Sequence, residues 1–210
     1  MEAFDPRRAR ALDATFFARD TRTVARELLG CVLVSDAAGA LTAGRIVETE
    51  AYLGSDDPGS HAATRGVTAR NRVMYGPPGR AYVYFTYGNH HMLNFVTEAE
   101  GVAGAVLVRA LEPLLGLEVM AERRGRRRGL CDGPGKLAQA LGVDLGDNGA
   151  ELGDGKLTVY AGTGVSGTVK TTGRVGLSAG HDLELRFLLE GNEHVSKGRT
   201  GPRSPGRRRS

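Results

Sequence analysis

Apolar positions recur along the chain with two different periods, and the changes of period divide it into elements. Val24, Leu28 and Leu29 fall on one side of a 3.6-residue helix; Asp20 or Thr21 can cap its start, and Gly30 ends it. Residues 31–34 form a compact apolar run of strand character, and residues 36–39 read as a turn. The next segment, Arg45-Ile46-Val47-Glu48-Thr49-Glu50-Ala51-Tyr52-Leu53-Gly54, reads as a strand whose alternation puts Ile46, Glu48, Glu50 and Tyr52 on one face. Residues 55–61 are loop, and residues 68–74 hold one or two helical turns bearing Arg70 and Arg72. Gly76-Pro77-Pro78-Gly79 breaks the chain ahead of a hairpin over residues 80–96. A third apolar strand follows at residues 105–111. Pro113, with Leu114, Leu117 and Met120 at helical spacing, predicts a helix over residues 113–123. Residues 133–142 read as a helix with a glycine-rich entry, closed by Gly142, and residues 157–160, 165–175 and 183–189 as strands.

These elements predict an α+β fold: a single domain with a mainly antiparallel curved sheet, flanking helices and a protruding β-hairpin. The domain is expected over residues 1–196, followed by a disordered basic tail at residues 197–210. At 210 residues the chain is long enough for one real core, with ordinary hydrophobic (40%) and charged (25%) fractions. No apolar run is long enough to cross a membrane, and Met1-Glu2-Ala3-Phe4-Asp5-Pro6-Arg7-Arg8 lacks the apolar region of a secretory signal. Cys31 and Cys131 lie far apart, and Cys31 sits in an apolar run as a small buried hydrophobe would. A cytoplasmic location is expected, nucleoid-associated in a bacterium, with no cofactor and no metal.

Charge is uneven. Lys197, Arg199, Arg203, Arg207, Arg208 and Arg209 carry the last fourteen positions with no acid, which leaves the rest of the chain at −2 within a total of +4. Arg123-Arg124-Gly125-Arg126-Arg127-Arg128 is a second basic block. Such tracts suit phosphate contacts, and equally a solvated arginine-rich loop.

The chemistry concentrates in two segments. Two carboxylates, Glu48 and Glu50, stand about 6.5 Å apart on a face that should be apolar, and burying an unmatched charge is expensive. The hairpin region carries Tyr75, Tyr82, Tyr84 and Tyr87, four of the chain's six tyrosines. A carboxylate beside flat aromatic surfaces suggests a site that grips a planar group and activates a water. Glu48 suits an arginine partner, and Tyr82 a hydrogen-bonded place in the sheet. His90 and His91 have no Asp, Glu or Cys at metal-ligand spacing. Two other readings stand beside this one: a glycoside hydrolase using Glu48 and Glu50, which one short strand does not readily allow to flank a sugar, and a non-catalytic nucleic-acid-binding module whose aromatics stack on bases.

At these residues the chain resembles the alkyladenine (3-methyladenine) DNA glycosylase family. The resemblance runs through the Arg45–Gly54 segment, His61, Tyr82-Val83-Tyr84, Tyr87-Gly88, Asn94, Arg109-Ala110-Leu111-Glu112-Pro113 and Gly133-Pro134-Gly135-Lys136-Leu137. Arg174-Val175-Gly176 and Leu185-Arg186-Phe187 extend it more loosely. It implies a monofunctional, monomeric base-excision-repair glycosylase. Such an enzyme flips damaged purines (3-methyladenine, 7-methylguanine, hypoxanthine, ethenoadenine) out of double-stranded DNA and hydrolyses the N-glycosidic bond. Glu50 would be the general base and Arg109 its support; Tyr52, His61, Tyr84 and Asn94 would form the base pocket; Tyr87 would intercalate. Asn89 departs from the apolar residue expected beside Tyr87. The turn allows two registers: a Gly88-Asn89 turn pairs Val83 with Asn94, whereas a loop from Gly88 to His90 pairs Tyr84 with Asn94. The resemblance favours the second, because it needs both side chains in one pocket.

Overall fold

In the computed structural model, which describes residues 4–86, 88, 90–153, 155–162, 164, 167–180 and 182–198, two aspartates open the first helices. Asp13 and Asp20 each accept from backbone N–H groups of the turn that follows, capping α1 (Ala14–Phe17) and α2 (Thr21–Glu27). The strands β1 (Val32–Ala37) and β2 (Ala40–Tyr52) are joined through Ala38 and Gly39, both at positive φ, a tighter link than the four-residue turn expected. After α3 (His61–Arg65) come β3 (Ala81–Thr86), β4 (His90–Val96) and β5 (Ala105–Leu115). The chain continues through α4 (Leu117–Arg124), α5 (Pro134–Leu141), β6 (Leu157–Tyr160), β7 (Val169–Thr172) and β8 (Arg186–Leu189).

All pairings among these strands are antiparallel, in the order β3-β4-β5-β2-β1-β6, with β8 on β2 and β7 on β8. The expected α+β fold with a curved antiparallel sheet is what forms. β2 controls the curl into a half-barrel. One of its edges pairs with β5 at residues 43–52; the other pairs first with β1, at residues 40–45, and then with β8, at residues 48–50. Between those two partners β2 carries a bulge: Ile46 faces Leu111, but Glu48 already faces Ala110. The extra residue reverses the alternation. Ile46 and Val47 consequently both pack into the main hydrophobic core, and Ile46 does not share the face of Glu48, Glu50 and Tyr52 as strict period two requires. A second irregularity follows on β5 at Arg109, where Ala110 faces Glu48 and Val108 faces Thr49.

Beyond the bulge the two faces are cleanly sorted. Val83, Leu93, Phe95, Val106 and Val108 belong to the core that packs on Phe17, Val24, Leu28 and Leu137, and Thr49 Oγ1 donates to the Ala25 carbonyl on that side. The opposite face carries one cross-strand row, Tyr82–Asn94–Leu107–Glu50–Arg186, each residue directly opposite the next.

The hairpin adopts neither register considered from the sequence. Tyr82 faces Asn94, Tyr84 faces Met92, and the last pair is Thr86 with His90. This is one step from the Gly88–His90 loop. Because the shift relative to that loop is two in pairing, Tyr84 and Asn94 still share a face. β5 pairs with β4 only from Asn94 to Val96, so the rest of the hairpin extends past its neighbour. Pro113 does not begin a helix; it lies in β5, at an irregularity where Gly44 faces Pro113 and Ala43 faces Leu115, a place suited to a residue with no N–H to donate. The helix starts at Leu117, behind Gly116 in the left-handed conformation. Tyr87, Asn89, His181 and residues 199–210, most of the proposed tail, lie outside the described residues.

Candidate active site

Three members of the row, Tyr82, Asn94 and Leu107, line a cavity of about 280 Å³ on the face of the sheet opposite the main core. Tyr52 from β2, Tyr82 and Tyr84 from β3, Asn94 from β4 and Arg109 from β5 line it, as does His61. Ser60 caps α3 by accepting from Ala62 N–H, so the segment expected to be loop ends in a helical turn whose first residue is His61. Five of the residues singled out from the sequence therefore meet in one cavity: Tyr52, His61, Tyr84, Asn94 and Arg109. Tyr82 joins them while also serving as a sheet residue; its hydroxyl lies 3.0 Å from His61 Nδ1. The His61 ring meets Tyr84 edge-on, 4.8 Å between centroids, and the Arg70 guanidinium lies 4.7 Å from the Tyr84 centroid. Burial, and then the Arg70 charge, hold the His61 pKa below its ordinary 6.5, while burial pushes Tyr82 up to about 12. His61 and Tyr82 are thus uncharged at neutral pH, and the charge on the wall is that of Arg109. Asn94 Nδ2 donates to the Tyr82 carbonyl at 3.0 Å, which orients the amide.

Glu50 lies directly behind three of the lining residues, and each supplies it a contact. Its Oε1 accepts from Val175 N–H at 2.7 Å; its Oε2 accepts from the Tyr52 hydroxyl at 2.8 Å and faces Arg109 Nη1 at 3.2 Å. The side chain has no exposure. Burial, with the Glu50 charge beside it, pushes the Tyr52 phenol well above its usual range, so Tyr52 stays a donor to the carboxylate. Burial works to lower the Arg109 pKa, but Glu50 and Glu48 together raise it, so the guanidinium stays charged.

Glu48 has a different surrounding. It accepts from Arg109 Nε at 2.8 Å, Arg186 Nε at 2.7 Å, Ser196 N–H at 2.6 Å and Ser196 Oγ at 2.9 Å. A carboxylate so occupied is a structural anchor. Neither glutamate side chain itself lines the cavity, so the two do not flank a common space as a glycoside hydrolase would require. Arg45, on the same strand, bonds Glu112 at 2.8 Å.

A second buried pair stands behind Tyr52. Arg174, wholly buried, makes a bidentate contact to Asp57, with Nη1 to Oδ2 at 2.6 Å, and its Cζ lies 4.7 Å from the Tyr52 centroid. Asp57 also accepts from Leu53 and Gly59 N–H groups, fixing the loop that leads to His61. Sequence reasoning did not single out Asp57, the Val175 N–H or Ser196. Arg174, Val175 and Arg186 stood in the weaker part of the resemblance; Asp57 and Ser196 had no local signal at all. His90 and His91, consecutive on β4, point to opposite faces. Among the described residues no three His, Cys, Asp or Glu side chains converge as metal ligands. Both cysteines are buried and unpaired.

An aromatic cavity with a buried, arginine-bridged glutamate behind it is a site for a planar ligand and acid–base chemistry. Residues 15–193 match the family model described as Methylpurine-DNA glycosylase. A relative from Methanoculleus marisnigri, named "Putative 3-methyladenine DNA glycosylase", is 51% identical over 193 residues, covering 89% of this chain and 98% of its own. Relatives of the same name from Carboxydothermus hydrogenoformans and Rubrobacter xylanophilus are 50% identical over 190 residues (89% of this chain, 98% of the relative) and 49% identical over 172 (81% and 88%). The chain belongs to the methylpurine-DNA glycosylase family, enzymes of DNA repair that cleave N-glycosyl bonds.

Two measurements check this geometry. Arg174→Met leaves the Asp57 carboxylate buried without its cation, and should lower stability in urea by about 3–5 kcal/mol; adding Asp57→Asn should recover a good part of that loss. A double-variant loss equal to the sum of the losses of Arg174→Met and Asp57→Asn alone would show that the pair is not coupled. The depressed His61 pKa also gives a sign. Below pH 6.5 the unfolded chain takes up a proton that the folded ring resists, so stability falls as the pH drops, until the folded pKa is passed. His61→Gln should remove that component of acid sensitivity, read by urea unfolding between about pH 5 and 7.5.

Proposed function

We propose that the enzyme excises damaged purines from double-stranded DNA by flipping the nucleotide into the aromatic cavity and hydrolysing its N-glycosidic bond with a water activated by Glu50. The observation that carries this reading is the placement of Glu50: it lies immediately behind Tyr52, Arg109 and Val175, is held by all three, and all three line a cavity walled by tyrosines and a histidine.

A base inside a duplex is out of reach, and extruding it costs a few kcal/mol. Tyr87, next in sequence after β3, is assigned the wedge that fills the vacated stack. Alkylation at N3 or N7 makes a purine cationic and already a good leaving group. Ring faces of Tyr52 and Tyr84 favour such a cation by roughly 0.5–2 kcal/mol each, and the neutral His61 adds no opposing charge. Asn94, oriented by its bond to the Tyr82 carbonyl, crowds the exocyclic amine of an undamaged guanine. As the base departs, the sugar gains oxocarbenium character, which the Glu50 carboxylate stabilises while accepting the proton of the attacking water. Arg109 holds Glu50 in place from the cavity wall. No lysine lines the cavity among the described residues, which supports simple hydrolysis over a Schiff-base lyase step. The accepted lesions are assigned as 3-methyladenine, 7-methylguanine, hypoxanthine and ethenoadenine, acted on by a monomer in the cytoplasm. The basic tail over residues 197–210 is assigned non-specific affinity for DNA.

The test is to present duplexes that each contain one of these lesions and to follow both the free base and the sugar–phosphate strand. The expected outcome is release of free base with an intact strand that breaks only on later alkali treatment. Binding of the lesion without release would instead support the base-stacking module, and strand breakage without alkali would overturn the monofunctional assignment.

A further inference from the structure

Ser196 lies three residues past the span that the family model matches, yet it reaches the centre of the site. Its N–H and hydroxyl both donate to Glu48, at 2.6 and 2.9 Å, its hydroxyl accepts from Arg109 Nη2 at 3.3 Å, and its carbonyl accepts from Arg186 Nη2 at 3.5 Å. It is 8% exposed. Two residues on, Gly198 passes so close to the partners of Glu50 that a Cβ there would lie 2.5 Å from Val175 Cγ1 and 3.2 Å from Arg109 Nη2. The chain after β8 is thus docked against both Val175 and Arg109.

We propose that Ser196 is a positioning residue for base excision, acting through Arg109 on Glu50. The proposal rests on the reading of Glu50 as the base. A guanidinium is planar, so fixing two of its nitrogens fixes the direction of the third. Glu48 holds Arg109 at Nε and the Ser196 hydroxyl holds it at Nη2, which aims Nη1 at Glu50 Oε2, 3.2 Å away. Without the hydroxyl only the Nε contact remains on that side, and the guanidinium can turn about it and draw Nη1 off the carboxylate. Small misplacements of this kind cost rate while leaving ligand contacts in place. Glu48 keeps both arginine contacts and the Ser196 N–H when the hydroxyl is removed, so the fold has no unmatched charge to accommodate.

The experiment measures single-turnover excision of one damaged purine for wild type, Ser196→Ala, Ser196→Thr and Glu50→Gln, with affinity for duplex DNA carrying an abasic-site analogue read in parallel. With folded enzyme saturating the DNA, the rate constant does not depend on the fraction folded, so a partly unfolded variant still gives an answer. Ser196→Ala is expected to lower the rate constant about tenfold or more at unchanged affinity, and Ser196→Thr, which keeps the hydroxyl, to stay close to wild type. A wild-type rate for Ser196→Ala, a threonine variant as slow as the alanine one, or a loss of rate matched by a loss of affinity would overturn the proposal. A wild-type rate for Glu50→Gln would overturn the assignment of the base itself, whatever the Ser196 variants do.

Discussion

Buried negative charge has to be matched, and the arrangement of this molecule follows from that constraint. Three carboxylates with almost no exposure, Glu48, Glu50 and Asp57, lie on β2 or in the loop after it. Their partners come from distant parts of the chain: Arg109 on β5, Arg186 on β8 and Arg174 just after β7. Leaving one such charge unmatched would cost several kcal/mol, a large share of the stability of a domain this size. The C-terminal third is therefore tied to β2, and its contribution to the site is not incidental. Arg174 supports Tyr52 from behind, the Val175 N–H holds Glu50, and Arg186 and Ser196 saturate Glu48.

The same constraint separates the roles of two glutamates that look alike. Both face away from the main core, two residues apart on one strand. Glu48 accepts from two arginines and twice from Ser196, and of those donors only Arg109 lines the cavity; Glu50 shares that arginine and takes its other donors from residues that line it. Arg109 connects them, so the structural carboxylate fixes the arginine that in turn fixes the other. In this account the chemistry needs little more: an aromatic enclosure that suits a flat, electron-poor purine, and one held carboxylate beside it.

Much of this was legible in the sequence because it is local. The Glu50–Tyr52 alternation, the tyrosines of the hairpin and the Asp20 cap each depend on residues a few positions apart, and five residues singled out in advance do line one cavity. What escaped depends on geometry that a one-dimensional pattern does not carry. The bulge at Val47 moves Ile46 to the core side, although nothing in an apolar Ile-Val pair marks where the alternation reverses. Pro113 looked like a helix start because its helical cues were real but belonged to residues four positions later. The Asp57–Arg174 pair joins positions far apart in the chain, each unremarkable in its own loop. The hairpin register turned on a one-residue displacement of a three-residue loop, which sequence preference does not fix to that accuracy.

The central claim is that Glu50 supplies the chemistry and that its burial does not merely balance Arg109. It is tested most directly by Glu50→Gln, an isosteric change that keeps an acceptor for the Tyr52 hydroxyl, with the rate of base release and the affinity for the same damaged duplex measured side by side. The account predicts that release falls by about 10²–10⁴-fold, the usual worth of a general base, while affinity stays near that of wild type. Release that persists at close to the wild-type rate would contradict it, and would leave Glu50 as one more buried charge matched by an arginine.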